Sequence, residues 1–106
     1  MSGNVLKQGS IQVELYVRDD CISCDTVQEA LLAYCKDRNY LSLRVVDLDN
    51  GGTIAPGKQA YITPALWVNG HLWNLGGFDL TRFDQRIRKL ADNLAQSRDR
   101  DLIQKQ

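Results

Sequence analysis

Cys21-Ile22-Ser23-Cys24 stands between the strand-like run Ile11 to Val17 and a helix-patterned run from Val27 to Tyr34. Two thiols at such a junction can do redox chemistry. Backbone N–H groups and the positive end of a helix dipole favour thiolate over thiol, and the thiolate is the species that attacks disulfides. Two intervening residues of a first helical turn bring the second sulfur within reach of a mixed disulfide formed at the first, so the pair can cycle between dithiol and disulfide. Cys21 is the expected nucleophile and Cys24 the resolving thiol. The Cys21 pKa is expected below the ordinary ~8.5, but Asp19, Asp20 and Asp25 crowd the same helix end and oppose a further negative charge.

The elements that must hold this pair follow from periodicity. Ile11, Val13, Leu15 and Val17 alternate with Gln12, Glu14 and Tyr16 as a strand, and Val27, Ala30, Leu31, Tyr34 and Arg38 recur at helical spacing. Leu43 to Leu48 reads as a second strand, parallel to the first across a helical crossover. Any helix between Gly51 and Ile62 must be short, because glycines and Pro56 punctuate that stretch. Ala65 to Val68 and His71 to Asn74 flank Asn69-Gly70, the dipeptide suited to a type I′ hairpin turn. Pairing across it would set Leu66, Val68, His71 and Trp73 on one face and Trp67 and Leu72 on the other. Both faces are apolar enough to need covering, so the expected fold is α/β, a four-stranded mixed sheet in the order β-α-β-short α-β-β-α with helices on both faces. Asp79 reads as the N-cap of a last helix whose inward stripe is Leu80, Phe83, Ile87, Leu90 and Leu94. Residues 96–106 form a polar, frayed extension, 1–10 a loose N-terminus, and 11–95 the domain proper.

Composition narrows the class. A chain of 106 residues, 43% hydrophobic and 25% charged, is the size of one domain with material for a core. Thirteen basic residues balance thirteen acidic ones, with no basic stripe apart from the segment Arg82 to Lys89, which Asp84 interrupts, and this argues against a nucleic-acid partner. No apolar run approaches the ~20 residues of a membrane span, and the first ten lack the apolar core of a secretory signal. The expected location is cytoplasmic, where a CxxC pair reads as redox or metal chemistry and not as a structural staple. A zinc site would need Cys35 and His71. Cys24 and Cys35 are eleven residues apart on one helix, about 16 Å at ~1.5 Å per residue, whereas two thiolates on one zinc lie within about 4 Å.

Several stretches narrow the reading further. Val13-Glu14-Leu15-Tyr16-Val17-Arg18-Asp19-Asp20-Cys21-Ile22-Ser23-Cys24 resembles the glutaredoxin pattern of a hydrophobic-Tyr strand, a basic residue three before the first cysteine, and CxxC. Thr63-Pro64 followed by Ala65-Leu66-Trp67-Val68-Asn69-Gly70 resembles the cis-proline strand of the thioredoxin superfamily. Gly76-Gly77-Phe78-Asp79 is similar to the Gly-Gly-x-Asp that opens the last glutaredoxin helix. Together these cover residues 11 to 95. Ile22-Ser23 differs from the Pro-Tyr of dithiol glutaredoxins and the Gly-Pro of thioredoxins, which leaves the redox potential open.

The resemblance implies a thiol-disulfide oxidoreductase with Cys21 and Cys24 catalytic. It implies a substrate or glutathione surface made of Arg18, Ile22, Ser23, Thr63, Pro64, Gly76, Gly77 and Asp79. No metal and no tightly bound cofactor is called for. Substrates would be protein or small-molecule disulfides, and the electron donor glutathione as co-substrate or a flavoenzyme reductase. Two other readings stand beside it: a non-catalytic thioredoxin-fold adaptor or regulatory domain, and a glutaredoxin-type carrier holding an iron–sulfur cluster between protomers.

Overall fold

The computed structural model describes residues 6–51 and 62–104, with side chains described as far as residue 96. The chain divides into two compact units, Gln8–Phe78 and a second that includes Asp79–Gln106. The first holds β1 (Ile11–Val17), α1 (Ile22–Lys36), β2 (Leu41–Asp47), β3 (Ala65–Val68) and β4 (His71–Leu75); the second holds α2 (Leu80–Gln104). No helix among the described residues is long and apolar enough to cross a membrane.

The four strands make one open mixed sheet in the order β2-β1-β3-β4. β1 and β2 are parallel, from Ile11 opposite Leu41 to Val17 opposite Asp47. A parallel pair cannot be closed by a tight turn, and α1 supplies the crossover. β2 begins two residues earlier than its apolar run, because Leu41 and Ser42 pair with Ile11 and Gln12. β3 runs antiparallel to β1, with Val13 opposite Val68 and Tyr16 opposite Ala65.

Alternation in β1 predicts burial of its odd residues, and Ile11, Val13 and Leu15 are fully buried. Tyr16, on the opposite face, is fully buried as well. It packs in a second cluster with Val46, Ala65 and Trp67, against which Leu48 lies; the Tyr16 and Trp67 rings stand 6.4 Å apart in a tilted arrangement, within the range of favourable aromatic pairs. A strand paired on both edges, buried along one face and at Tyr16 on the other, leaves its neighbours little freedom of register.

The hairpin turn has the expected chemistry. Asn69 and Gly70 both have positive φ, 49° and 81°, as a type I′ turn requires. Asn69 also ties the turn to β1: its N–H donates to the Gln12 carbonyl at 2.8 Å, and its Oδ1 accepts the Gln12 N–H at 2.8 Å. The register beyond the turn differs from simple pairing. Trp67 opposes Leu72, but Leu66 opposes Asn74 and not Trp73. This one-residue shift, of the bulge kind, removes Trp73 from the face expected for it beside Leu66. The expectation of apolar burial on both faces holds along β3, all four residues of which are buried. It fails along β4, where Leu72 and Leu75 are exposed.

α1 buries Cys24, Val27, Leu31 and Tyr34, a stripe with the 3.6-residue period of a helix packed on one side, and it contacts β2. It ends at Lys36, so Arg38 lies past the helix and not on its stripe. Arg38 closes that end instead: its Nη1 donates to the Tyr34 carbonyl at 2.8 Å and its guanidinium lies 3.8 Å from the centre of the Tyr34 ring, satisfying an orphan carbonyl and the negative end of the dipole together.

In the second unit Asp79 is the N-cap of α2. Its Oδ1 accepts the N–H groups of Thr81 at 3.0 Å and Arg82 at 3.3 Å, an arrangement worth ~1 kcal/mol over an alanine cap. Phe83 and Ile87 are buried and Leu80 is exposed, so the inward stripe starts one turn later than the apolar pattern indicates. The helical backbone continues to Gln104, where the polarity of the tail predicts fraying. The expected short helix falls on residues 52–61, outside the described residues.

Candidate redox site

Cys21 is the N-cap of α1, with φ −121° and ψ 97°. Its Sγ accepts the backbone N–H of Cys24 at 3.1 Å, the bond usually made by the side-chain oxygen of a Ser, Thr or Asp cap. Its carbonyl accepts the Asp25 N–H at 3.1 Å and opens the helical ladder. An acceptor at that point is favoured further by negative charge, because the first-turn N–H groups and the dipole converge on it. Cys21 and Cys24 are joined in a disulfide, with Cα atoms 5.2 Å apart. Their exposures differ: Cys21 is half-buried, whereas Cys24 is 1% exposed and belongs to the buried stripe of α1. Of the two cysteines, Cys21 is the one open to solvent.

Thr63-Pro64 is a cis peptide bond, and the Thr63 Oγ1 lies 4.0 Å from the Cys21 Sγ. The Pro64 carbonyl accepts the Gly76 N–H at 2.8 Å. Gly76 has φ 77°, a conformation that side chains other than glycine seldom adopt. The Asn74 side chain donates to the carbonyls of Gly76 and Gly77. A run of contacts thus leads from Cys21 through Thr63 and Pro64 to Gly76 and Gly77. Ile22 is 84% exposed and Ile62 55% exposed, one beside each half of this run. Ser23 is exposed. Asp79 belongs to the second unit, where its carboxylate caps α2.

Arg18 is engaged elsewhere than the sulfur. Its Nη1 lies 3.3 Å from Asp49 Oδ1 in an ion pair, so the cation expected for a ligand already has an anionic partner. Asp49 and its neighbour Asn50 are the residues that the sequence reading passed over. Asp49 Oδ2 accepts the backbone N–H of Asp19 at 2.8 Å. The Asn50 amide donates to Asp19 Oδ1 at 3.0 Å and to Asp47 Oδ2 at 2.8 Å. The signal that could have found them is topological. In a parallel pair the residues just past the end of one strand lie beside those just past the end of the other, and such carboxyl ends are where α/β sheets place their sites.

Cys35, the third thiol, is half-buried and not in a disulfide. Burial pushes its pKa up, with Arg38 opposing. Among the described residues no three His, Cys, Asp or Glu side chains are grouped so as to hold a metal ion.

No protein-family model matches the chain, and neither the curated proteins nor the solved structures give a match.

Proposed function

We propose that the chain is a thiol-disulfide oxidoreductase working through Cys21 and Cys24. The observation that carries this reading is the Cys21 sulfur itself, seated as helix cap on the Cys24 N–H while Cys24 is shielded behind it. The Cys21 thiolate attacks one sulfur of a substrate disulfide; that S–S bond breaks, and the departing sulfur leaves as a thiolate that takes a proton. Cys24, losing its proton, then attacks Cys21 Sγ and expels the second substrate thiol. The substrate gains two electrons and the protein retains the Cys21–Cys24 disulfide. Two glutathione molecules, or a flavoenzyme reductase, return it to the dithiol.

Strand order β2-β1-β3-β4, the parallel β1–β2 pair and the cis Thr63-Pro64 bond support a thioredoxin-like arrangement, within which the chain is glutaredoxin-like. In this reading Thr63 and Pro64 present main-chain partners to the substrate, Ile22 and Ile62 supply apolar contact, and Gly76 and Gly77 leave room for an extended backbone. Ser23 contributes a polar contact, and the setting is cytoplasmic.

The test is disulfide reduction in two parallel assays, one driven by glutathione and its reductase, the other by thioredoxin reductase. Turnover in either supports the reading, and the better donor assigns the subfamily. Absence of turnover in both, with the dithiol fully reduced at the start, would make the domain non-catalytic.

A further inference from the structure

Arg18 stands three residues before Cys21. At ~3.3–3.6 Å per residue their Cα atoms cannot be more than about 11 Å apart, and the left-handed turn at Asp20, φ 53°, shortens the path. A guanidinium on that tether lies within the ~30 Å Debye length of 0.01 M salt. It is nevertheless paired with Asp49, whose second oxygen grips the Asp19 N–H. The grip is braced from behind: the Asp49 N–H donates to Asp47 Oδ1 at 3.0 Å, and the Leu48 N–H donates to the Val17 carbonyl at 2.9 Å. The carboxylate is thus fixed by its own backbone and in turn fixes both the cation and the chain leading to the cysteine.

We propose that Asp49 is a positioning residue that holds the Arg18 cation away from incoming disulfides, so that the site discriminates against anionic small disulfides in favour of uncharged ones. The proposal rests on Cys21 being the reactive thiol. It concerns selectivity and not the exchange step itself, because Asp49 touches neither sulfur. Asp49→Asn separates its two tasks: an amide oxygen still accepts the Asp19 N–H, but the amide cannot hold a guanidinium.

The experiment is a double-mutant cycle of the wild type, Arg18→Gln, Asp49→Asn and the double variant. Alkylation of reduced Cys21 by anionic iodoacetate and by neutral iodoacetamide is followed by peptide mass spectrometry. The expected result is that Asp49→Asn raises the iodoacetate-to-iodoacetamide rate ratio about threefold at low salt, the scale of one exposed charge interaction, by clearly less in the Arg18→Gln background, and by little at ~1 M salt. An equal rise in both backgrounds would mean that Asp49 acts only through its own charge and would overturn the proposal, as would no rise at all. The same four proteins are tested against oxidised glutathione and the uncharged hydroxyethyl disulfide, and the ratio of their kcat/KM values should follow the alkylation ratio. If the wild type reduces neither disulfide, the functional reading fails, while the alkylation cycle still decides the role of Asp49.

Discussion

The two ends of α1 carry cysteines in opposite surroundings. At the first, Cys21 caps the helix, accepts the Cys24 N–H and stands half-open beside Thr63. At the other, Cys35 lies in the last turn, where the dipole is negative, and burial pushes its thiol up despite the guanidinium of Arg38. Two chemically identical side chains, one helix apart, sit at opposite ends of the dipole, one accepting a first-turn N–H and the other held protonated to higher pH by burial. Both thiols are half-buried, so the difference teaches that position along the dipole and the groups around each sulfur, more than the presence of sulfur, separate one thiol from another.

The largest test of that contrast is to remove one sulfur at a time. Cys21→Ser should abolish disulfide exchange. Cys24→Ser should leave a mixed disulfide trapped at Cys21, located by mass spectrometry, whereas Cys35→Ser should exchange at close to the wild-type rate. An adduct on Cys35 in the Cys24→Ser protein would invert the contrast.

A second test sharpens the capping half of the comparison without using activity. Cys21→Ser and Cys21→Ala both lack the disulfide, but only serine keeps an acceptor for the Cys24 N–H. Serine should therefore be the more stable by ~1 kcal/mol, measured as a shift in urea midpoint at constant m-value. Equal midpoints would show that the sulfur contributes nothing as a cap.

The smallest effect belongs to Cys35. Its folded-state pKa is raised above the ordinary value near 9.0, so the folded protein keeps the thiol proton to higher pH than the unfolded chain does. Stability from this source is fully present below the unfolded pKa and is lost as pH rises through the folded one. In a background where Cys21 and Cys24 are both serine, Cys35→Ala should lose less stability between about pH 8 and about pH 10 than its parent. Parallel pH profiles by chemical denaturation would remove the claim.

Much of this arrangement can be read from local pattern. The alternation from Ile11 to Val17 sets β1, the helical stripe through Val27, Leu31 and Tyr34 sets α1, and Asn69-Gly70 sets the hairpin turn, because each rests on neighbours close in sequence. The placement of Cys21 at a helix start followed from the change of period beside it. Illegible features depend on what tertiary packing brings together. The shift that sets Leu66 opposite Asn74 has no turn or glycine to announce it, and the exposure of Leu72 and Leu75 is not encoded by alternation alone. Asp49 carries no local signal of its role, because its partners Arg18 and Asp19 are thirty or more positions away. The sequence supplied a basic residue three before Cys21, but not the carboxylate that holds it.

The register shift in β4 has a bearing on behaviour in crowded solution. β2 and β4 are the two outer strands of the sheet, and outer strands offer open ladders onto which another chain can dock and begin an aggregate. β2 carries Arg44, which reaches Glu14 at 3.1 Å, and ends at Asp47; charges of this kind make a poor template for stacking. β4 has apolar exposed residues, Leu72 and Leu75, and no Asp, Glu, Lys or Arg. Its protection against self-association is geometric: with Trp73 out of step, the spacing of donors and acceptors along the outer edge changes partway, and a straight incoming strand cannot match both halves at once.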